Sequence, residues 1–80
     1  MVRVRLTEKD GRIETLKISG DFFLVPEESL SKLEKMLVDT RLDEKELKLL
    51  VDRFFRGTQA QGLGVSSDDF VKAILATKNQ

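Results

Sequence analysis

The sequence predicts an α+β fold: a three-stranded antiparallel sheet, made of an N-terminal β-hairpin and a short third strand, with three helices packed against it. Three observations lead there. Residues 2–8 alternate strictly between apolar and polar, an Asp10-Gly11 pair then separates them from a second alternating stretch, and three later segments carry apolar residues at helical spacing. With 80 residues the chain is read as a single domain, 1–80. A chain of this length buries only about 60–65% of its unfolded surface, so its core is close to the minimum that folds without staples.

In the first strand Val2, Val4 and Leu6 fall on one face, with Arg3, Arg5 and Thr7 on the other. The second strand carries Leu16 and Ile18, with Thr15 and Lys17 between them. A two-residue Asp10-Gly11 loop sets Val4 against Lys17 and Leu6 against Thr15, which mixes apolar with polar. A three-residue loop of Lys9, Asp10 and Gly11 sets Val2 against Ile18 and Val4 against Leu16, and is the expected register. It gathers Arg3, Arg5, Thr15 and Lys17 on the outer face, with Arg3 opposite Lys17. Such a like-charge pair costs stability unless an anion or acidic partner is near, and the plain alternative is a solvated face.

Gly20 interrupts the second strand, and Asp21-Phe22-Phe23-Leu24-Val25 reads as the third. Adjacent strand residues point to opposite faces, so only one of Phe22 and Phe23 enters a one-sided core. The other is a partner surface, unless the strand twists or bulges so that both rings are buried. Asp21 follows a glycine at a strand junction, where Asp commonly bonds nearby backbone amides.

Pro26, Glu27 and Glu28 have the composition of a helix first turn, and Leu30, Leu33 and Leu37, with Met36 beside them, form a stripe that carries the helix to about Val38. The second helix starts with Asp43 as N-cap, Glu46 at the position that bonds back, and Leu42 with Leu47 as a staple. Its apolar face is Leu47, Leu50, Val51 and Phe54, with Phe55 at the edge, and Arg56-Gly57 is the expected stop. Residues 57–65 hold three glycines and no period, which predicts a loop. Ser66, Asp69, Val65 and Phe70 repeat the capping and staple pattern for a last helix with a Phe70, Ala73, Ile74 and Thr77 stripe, and Lys78-Asn79-Gln80 is expected to fray.

Composition closes several functional routes. There is no Cys and no His, so thiol nucleophiles, disulfides, zinc clusters and imidazole bases are excluded, which leaves carboxylate, amine, hydroxyl and guanidinium groups. The 14 Lys and Arg balance 14 Asp and Glu, which argues against a nucleic-acid binder. No uninterrupted apolar run is longer than Phe22 to Val25, which is far below the roughly 20 residues of a membrane span, so a cytoplasmic protein with no membrane contact is expected. Ser66-Ser67-Asp68-Asp69 offers hard oxygen ligands for magnesium, but a helix start explains it better. Gly62-Leu63-Gly64 lacks the third glycine and the Lys of a phosphate loop. Lys9, at the hairpin tip like the acceptor lysine of lipoyl and biotinyl carriers, sits in a chain too helical for those sandwiches.

The string Lys17-Ile18-Ser19-Gly20-Asp21-Phe22-Phe23, behind an alternating strand and an Asp-Gly turn, resembles the C-terminal accessory domain of lipoate-protein ligases. Leu33-Glu34 in the first helix and Gly62-Leu63-Gly64-Val65-Ser66-Ser67-Asp68-Asp69-Phe70 before the last extend the similarity over nearly the whole chain. The Gly20 to Phe23 segment is its specific part. Since the first strand follows Met1 directly, the resemblance implies the separate small subunit of a split, archaeal-type ligase, not catalytic alone and binding no cofactor alone. It implies a heterodimer with a large catalytic subunit that holds ATP, Mg and lipoate, makes lipoyl-AMP and passes the lipoyl group to a carrier-protein lysine. Gly20, Asp21, Phe22 and Phe23 are then the structural or interface centre, and Arg3, Arg5 and Lys17 face the large subunit or its anionic ligand. A reading from another class is a small adaptor that binds an unrelated protein through the same surface.

Overall fold

The computed structural model describes residues 2–77; the expected fraying of Lys78-Asn79-Gln80 lies outside them. The elements in chain order are β1 (Val2–Lys9), β2 (Arg12–Gly20), β3 (Phe23–Val25), α1 (Ser29–Leu37), α2 (Glu44–Thr58), β4 (Gln61–Leu63) and α3 (Ser67–Ala76). The α+β class and the three helices are as expected. The sheet is not: β1 pairs with β2 and β3 pairs with β4, each pair antiparallel, in place of one three-stranded sheet.

The hairpin reconciles two signals that conflict in the sequence. Lys9 pairs with Arg12 across a two-residue turn in which Asp10 and Gly11 both have positive φ, 55° and 78°. From Thr7 onward the register is shifted by one residue, so that Thr7 faces Thr15, Leu6 faces Leu16, Arg5 faces Lys17, Val4 faces Ile18 and Arg3 faces Ser19. The turn keeps its preferred two-residue form, and a bulge restores apolar-to-apolar pairing. The expected three-residue loop and the pairings of Val2 with Ile18, Val4 with Leu16 and Arg3 with Lys17 are therefore replaced. The bulge also sends Ile13 inward, where it is fully buried, while Glu14 and Thr15 both stay exposed.

The third strand does not join the hairpin because the free edge of β2 is already occupied. The Ile13 amide donates to the Thr40 carbonyl at 2.9 Å and the Ile13 carbonyl accepts from the Asp39 amide at 2.7 Å, with Arg12 bridged to Arg41. Farther along, the Ile18 amide donates to Glu34 Oε2 at 2.7 Å. The α1–α2 connection and one side chain of α1 thus satisfy the backbone that a third strand would have used. At Gly20, φ is 152°, a value that side chains disfavour, and the chain turns away from the hairpin there.

Pro26 to Glu28 form a turn before α1, closed by the Ser29 amide donating to the Pro26 carbonyl at 3.0 Å, so the helix starts at Ser29, later than expected, and ends at Leu37. Leu33 and Leu37 are fully buried and Leu30 and Met36 partly so, as the stripe requires. At the start of α2, Asp43 accepts from the Glu46 amide at 3.2 Å, and the Asp43 amide goes to the Arg41 carbonyl, so the cap works in one direction. Helix α2 runs through Gly57 to Thr58 and stops at Gln59, which takes the left-handed conformation. Stopping there instead of at Gly57 buries Ala60 and delivers residues 61–63 beside β3. The segment expected to be a loop therefore holds a strand. Gly62 is required in it, because a Cβ at that position would lie 2.8 Å from the Val65 carbonyl oxygen.

Helix α3 carries the complete capping box: the Ser66 amide donates to Asp69 Oδ2 at 2.9 Å and the Asp69 amide to Ser66 Oγ at 3.4 Å. Phe70, Val71 and Ile74 are its buried face. Phe70 is the aromatic centre of the core, edge-on to Phe22 at 5.3 Å between centroids and stacked on Phe55 at 6.1 Å. Among the described residues no helix is long and apolar enough to cross a membrane.

Candidate functional site: an apolar ribbon beside a basic strand face

The Gly20-Asp21 corner joins two surfaces of different chemistry. On one side lies the outer face of the hairpin. Arg3, Arg5 and Lys17 are all exposed on it, with Thr7, Thr15 and Ser19 as their neighbours. Thr7 and Thr15 share a hydrogen bond between their hydroxyls at 2.7 Å. The like-charge pair is Arg5 with Lys17, while Arg3 faces Ser19. Arg3, Ser19, Gly20 and Asp21 together line a shallow open pocket at the corner, with Asp21 exposed on it.

On the other side lies the β3–β4 ribbon. Its inner face contributes Phe22, just ahead of β3, and Leu24, which are 9% and 7% exposed. Its outer face is mostly apolar as well, with Gln61 opposite Val25 as its polar member: Phe23 is 74% exposed, Val25 48% and Leu63 53%. Phe23 and Leu63 are directly paired across the ribbon, and Val25 sits two residues along from Phe23 on the same face. The choice left open by the sequence is thereby made: Phe22 belongs to the core and Phe23 to the surface. Sequence reasoning missed Val25 and Leu63. Val25 was findable, since it alternates with Phe23, but Leu63 lies between two glycines in a segment with no period of its own.

Two candidates weighed in the sequence are absorbed by structure. The Asp69 carboxylate is committed to the Ser66 amide, and Gly62-Leu63 is half of a paired ribbon. No group of three or more acidic side chains suited to a metal is present among the described residues. What remains is a surface suited to recognition: an exposed aromatic and two aliphatics on the short ribbon, and three cations on the outer face of the hairpin.

A small α+β domain with this surface is defined as a binding or accessory module. Comparison with known proteins gives its family. The model for the bacterial lipoate protein ligase C-terminus matches residues 1–74. A lipoate-protein ligase A subunit 2 from Thermoplasma acidophilum is 36% identical over 74 residues, covering 92% of this chain and 76% of that protein. A solved structure of an archaeal lipoylation system, a bipartite lipoate protein ligase and its E2 lipoyl domain from Thermoplasma acidophilum, superposes with a TM-score of 0.81 at 33% identity, over 91% of this chain and 80% of that one. The chain belongs to the lipoate protein ligase C-terminal family.

Proposed function

We propose that this chain, acting as one domain over residues 1–80, is the accessory subunit of a two-component lipoate-protein ligase in the cytoplasm. It forms a heterodimer with a large catalytic subunit and is needed with it for ATP-dependent activation of lipoate to lipoyl-AMP, which is then transferred to a carrier-protein lysine. The observation that carries this reading is the likeness of nine-tenths of the chain, in both fold and sequence, to a chain of a bipartite ligase system. ATP, magnesium and lipoate are held by the catalytic subunit. This chain's contribution is its surface: Phe23, Val25 and Leu63 bury against the partner, while Arg3, Arg5 and Lys17 supply positive charge to the partner or to its anionic ligand. Such a module acts by excluding water and fixing the partner's geometry around a reacting phosphate.

The test is reconstitution. The purified chain, mixed with a catalytic ligase subunit that lacks this domain, is expected to form a complex and to restore lipoate-dependent pyrophosphate release. Charge reversal at both Arg3 and Arg5 is expected to weaken assembly or pyrophosphate release at least about tenfold, a loss of some 1.4 kcal/mol. Unchanged values for both would remove the basic face from the interface. A chain that binds an unrelated protein and neither binds nor activates the ligase subunit is instead an adaptor.

A further inference from the structure

The two edges of the β1–β2 sheet are treated differently. The β2 edge is closed by the bonds from Ile13 to Asp39 and Thr40 and from Ile18 to Glu34. Those same bonds fix which way the β1 backbone points. Ile18 directly faces Val4, and its amide donates away from β1, so Val4 and Ile18 form a non-hydrogen-bonded pair. The Val4 amide and carbonyl therefore point to the opposite edge, and so do those of Leu6, two residues along. No other strand of the described residues pairs there, since the sheet has two strands in the order β1, β2.

The surroundings of this open edge restrict what fits it. The inner face of β1 is incompletely covered: Val2, Val4 and Leu6 are only half-buried. Beside the edge runs a groove lined by Val2, Gly64, Asp69, Lys72 and Ala73, with α3 as its far wall. Gly64, one of its lining residues, directly follows Leu63 of the exposed apolar ribbon. The outer face of the regular ladder holds Arg3, Arg5 and Lys17 and no acidic residue. A second copy pairing antiparallel through β1 sets the Arg3 and Arg5 rows of the two chains side by side, which is repulsive. A strand with acidic residues on that face relieves the Arg5–Lys17 repulsion instead.

We propose that the open edge of β1 takes an extended segment of the catalytic ligase subunit as an added strand, acidic where it flanks Arg3 and Arg5 and apolar where it covers Val2, Val4 and Leu6. Strand addition of this kind draws affinity from the backbone and selectivity from alternate side chains. The proposal rests on the accessory-subunit reading and adds to it a mode of docking, continuous with the Phe23, Val25 and Leu63 strip.

Residue-resolved amide exchange, measured on the full chain alone and with the catalytic subunit, tests it. The Val4 and Leu6 amides are expected to exchange at least about tenfold more slowly in the complex, while the Arg5 and Lys17 amides, already in the ladder, are protected in both states. A complex that forms with Val4 and Leu6 exchange unchanged overturns strand addition and leaves the ligase reading standing. No complex overturns both. As a second arm, Val4→Pro removes the outward amide and Val4→Ala removes the same side chain but keeps that amide, so Val4→Pro is expected to bind at least about tenfold more weakly than Val4→Ala. Equal affinities, with the hairpin amides still protected, likewise overturn the proposal.

Discussion

The two β-ribbons of this small protein are built on opposite terms. The β1–β2 hairpin has strands of eight and nine residues and one face turned to the core, and its β2 edge is bonded to the α1–α2 connection and to Glu34. The β3–β4 ribbon has three residues per strand and carries apolar residues on both faces, with Leu24 inside and Phe23, Val25 and Leu63 outside beside Gln61. An isolated two-stranded ribbon is marginal in water. The hairpin answers that problem with its own chain along the β2 edge. The short ribbon does so only on its inner face, and its outer face has the composition of a contact that the described residues do not make with one another. The difference separates a ribbon held on its β2 edge by the rest of the chain from one that is covered on its inner face alone.

The comparison is broken most severely at the residue both ribbons depend on. Phe70 is fully buried and packs edge-on against Phe22, next to β3, while α3 lies against β1. Phe70→Ala is expected to cost about 3–5 kcal/mol, read as a lower urea midpoint in equilibrium unfolding. In a domain with so small a core, that is a large share of the total.

The next substitutions separate the ribbons. Gly62→Ala places a methyl 2.8 Å from the Val65 carbonyl oxygen, against backbone that cannot rotate away, and is expected to cost about 1–3 kcal/mol, with exchange loosened at β3 and β4 but not in the hairpin. Glu34→Ala does the reverse. It orphans the Ile18 amide on the β2 edge, at a cost of about 1 kcal/mol, and speeds exchange of that amide. Glu34→Gln keeps an acceptor oxygen and is expected to lose less. If Gly62→Ala loosens both ribbons equally, they form one cooperative unit and not two.

The parts legible in the sequence are those fixed by neighbours along the chain. The Ser66–Asp69 capping box, the Asp43 cap and the apolar stripes of all three helices depend on residues three or four positions apart, and the strand faces depend on alternation. What could not be read depends on distant backbone. The bulge next to Ile13 exists because the Asp10-Gly11 turn and the apolar pairing demand registers one residue apart, and neither demand alone shows which yields. The third strand is visible in Asp21 to Val25, of which Phe23–Val25 is strand, but its partner is not. Gln61-Gly62-Leu63 has no strand pattern, and the edge of β2 that was the natural alternative is filled by Glu34, whose hydrogen bond to Ile18 spans 16 residues. At the site, the basic row and the Gly20-Asp21-Phe22-Phe23 corner were readable. The division of labour between the two phenylalanines was not, because it follows from how the ribbon is seated.

That division yields the smallest stability effect and the sharpest test. Phe23 is 74% exposed, so Phe23→Ala removes little from the core and only weakens one cross-strand pair with Leu63; the isolated chain is expected to lose no more than about 0.5 kcal/mol. Against the catalytic subunit the same change removes the aromatic most available to a partner pocket, and affinity is expected to fall at least about tenfold. Leu63→Ala, on the other strand of the same pair, is expected to follow it in both measurements. The two quantities must move apart for the ribbon to be a docking element. A stability loss near that of Phe70→Ala places the outer face in the core, and unchanged affinity leaves Phe23 and Leu63 as solvent-facing surface with the partner contact elsewhere.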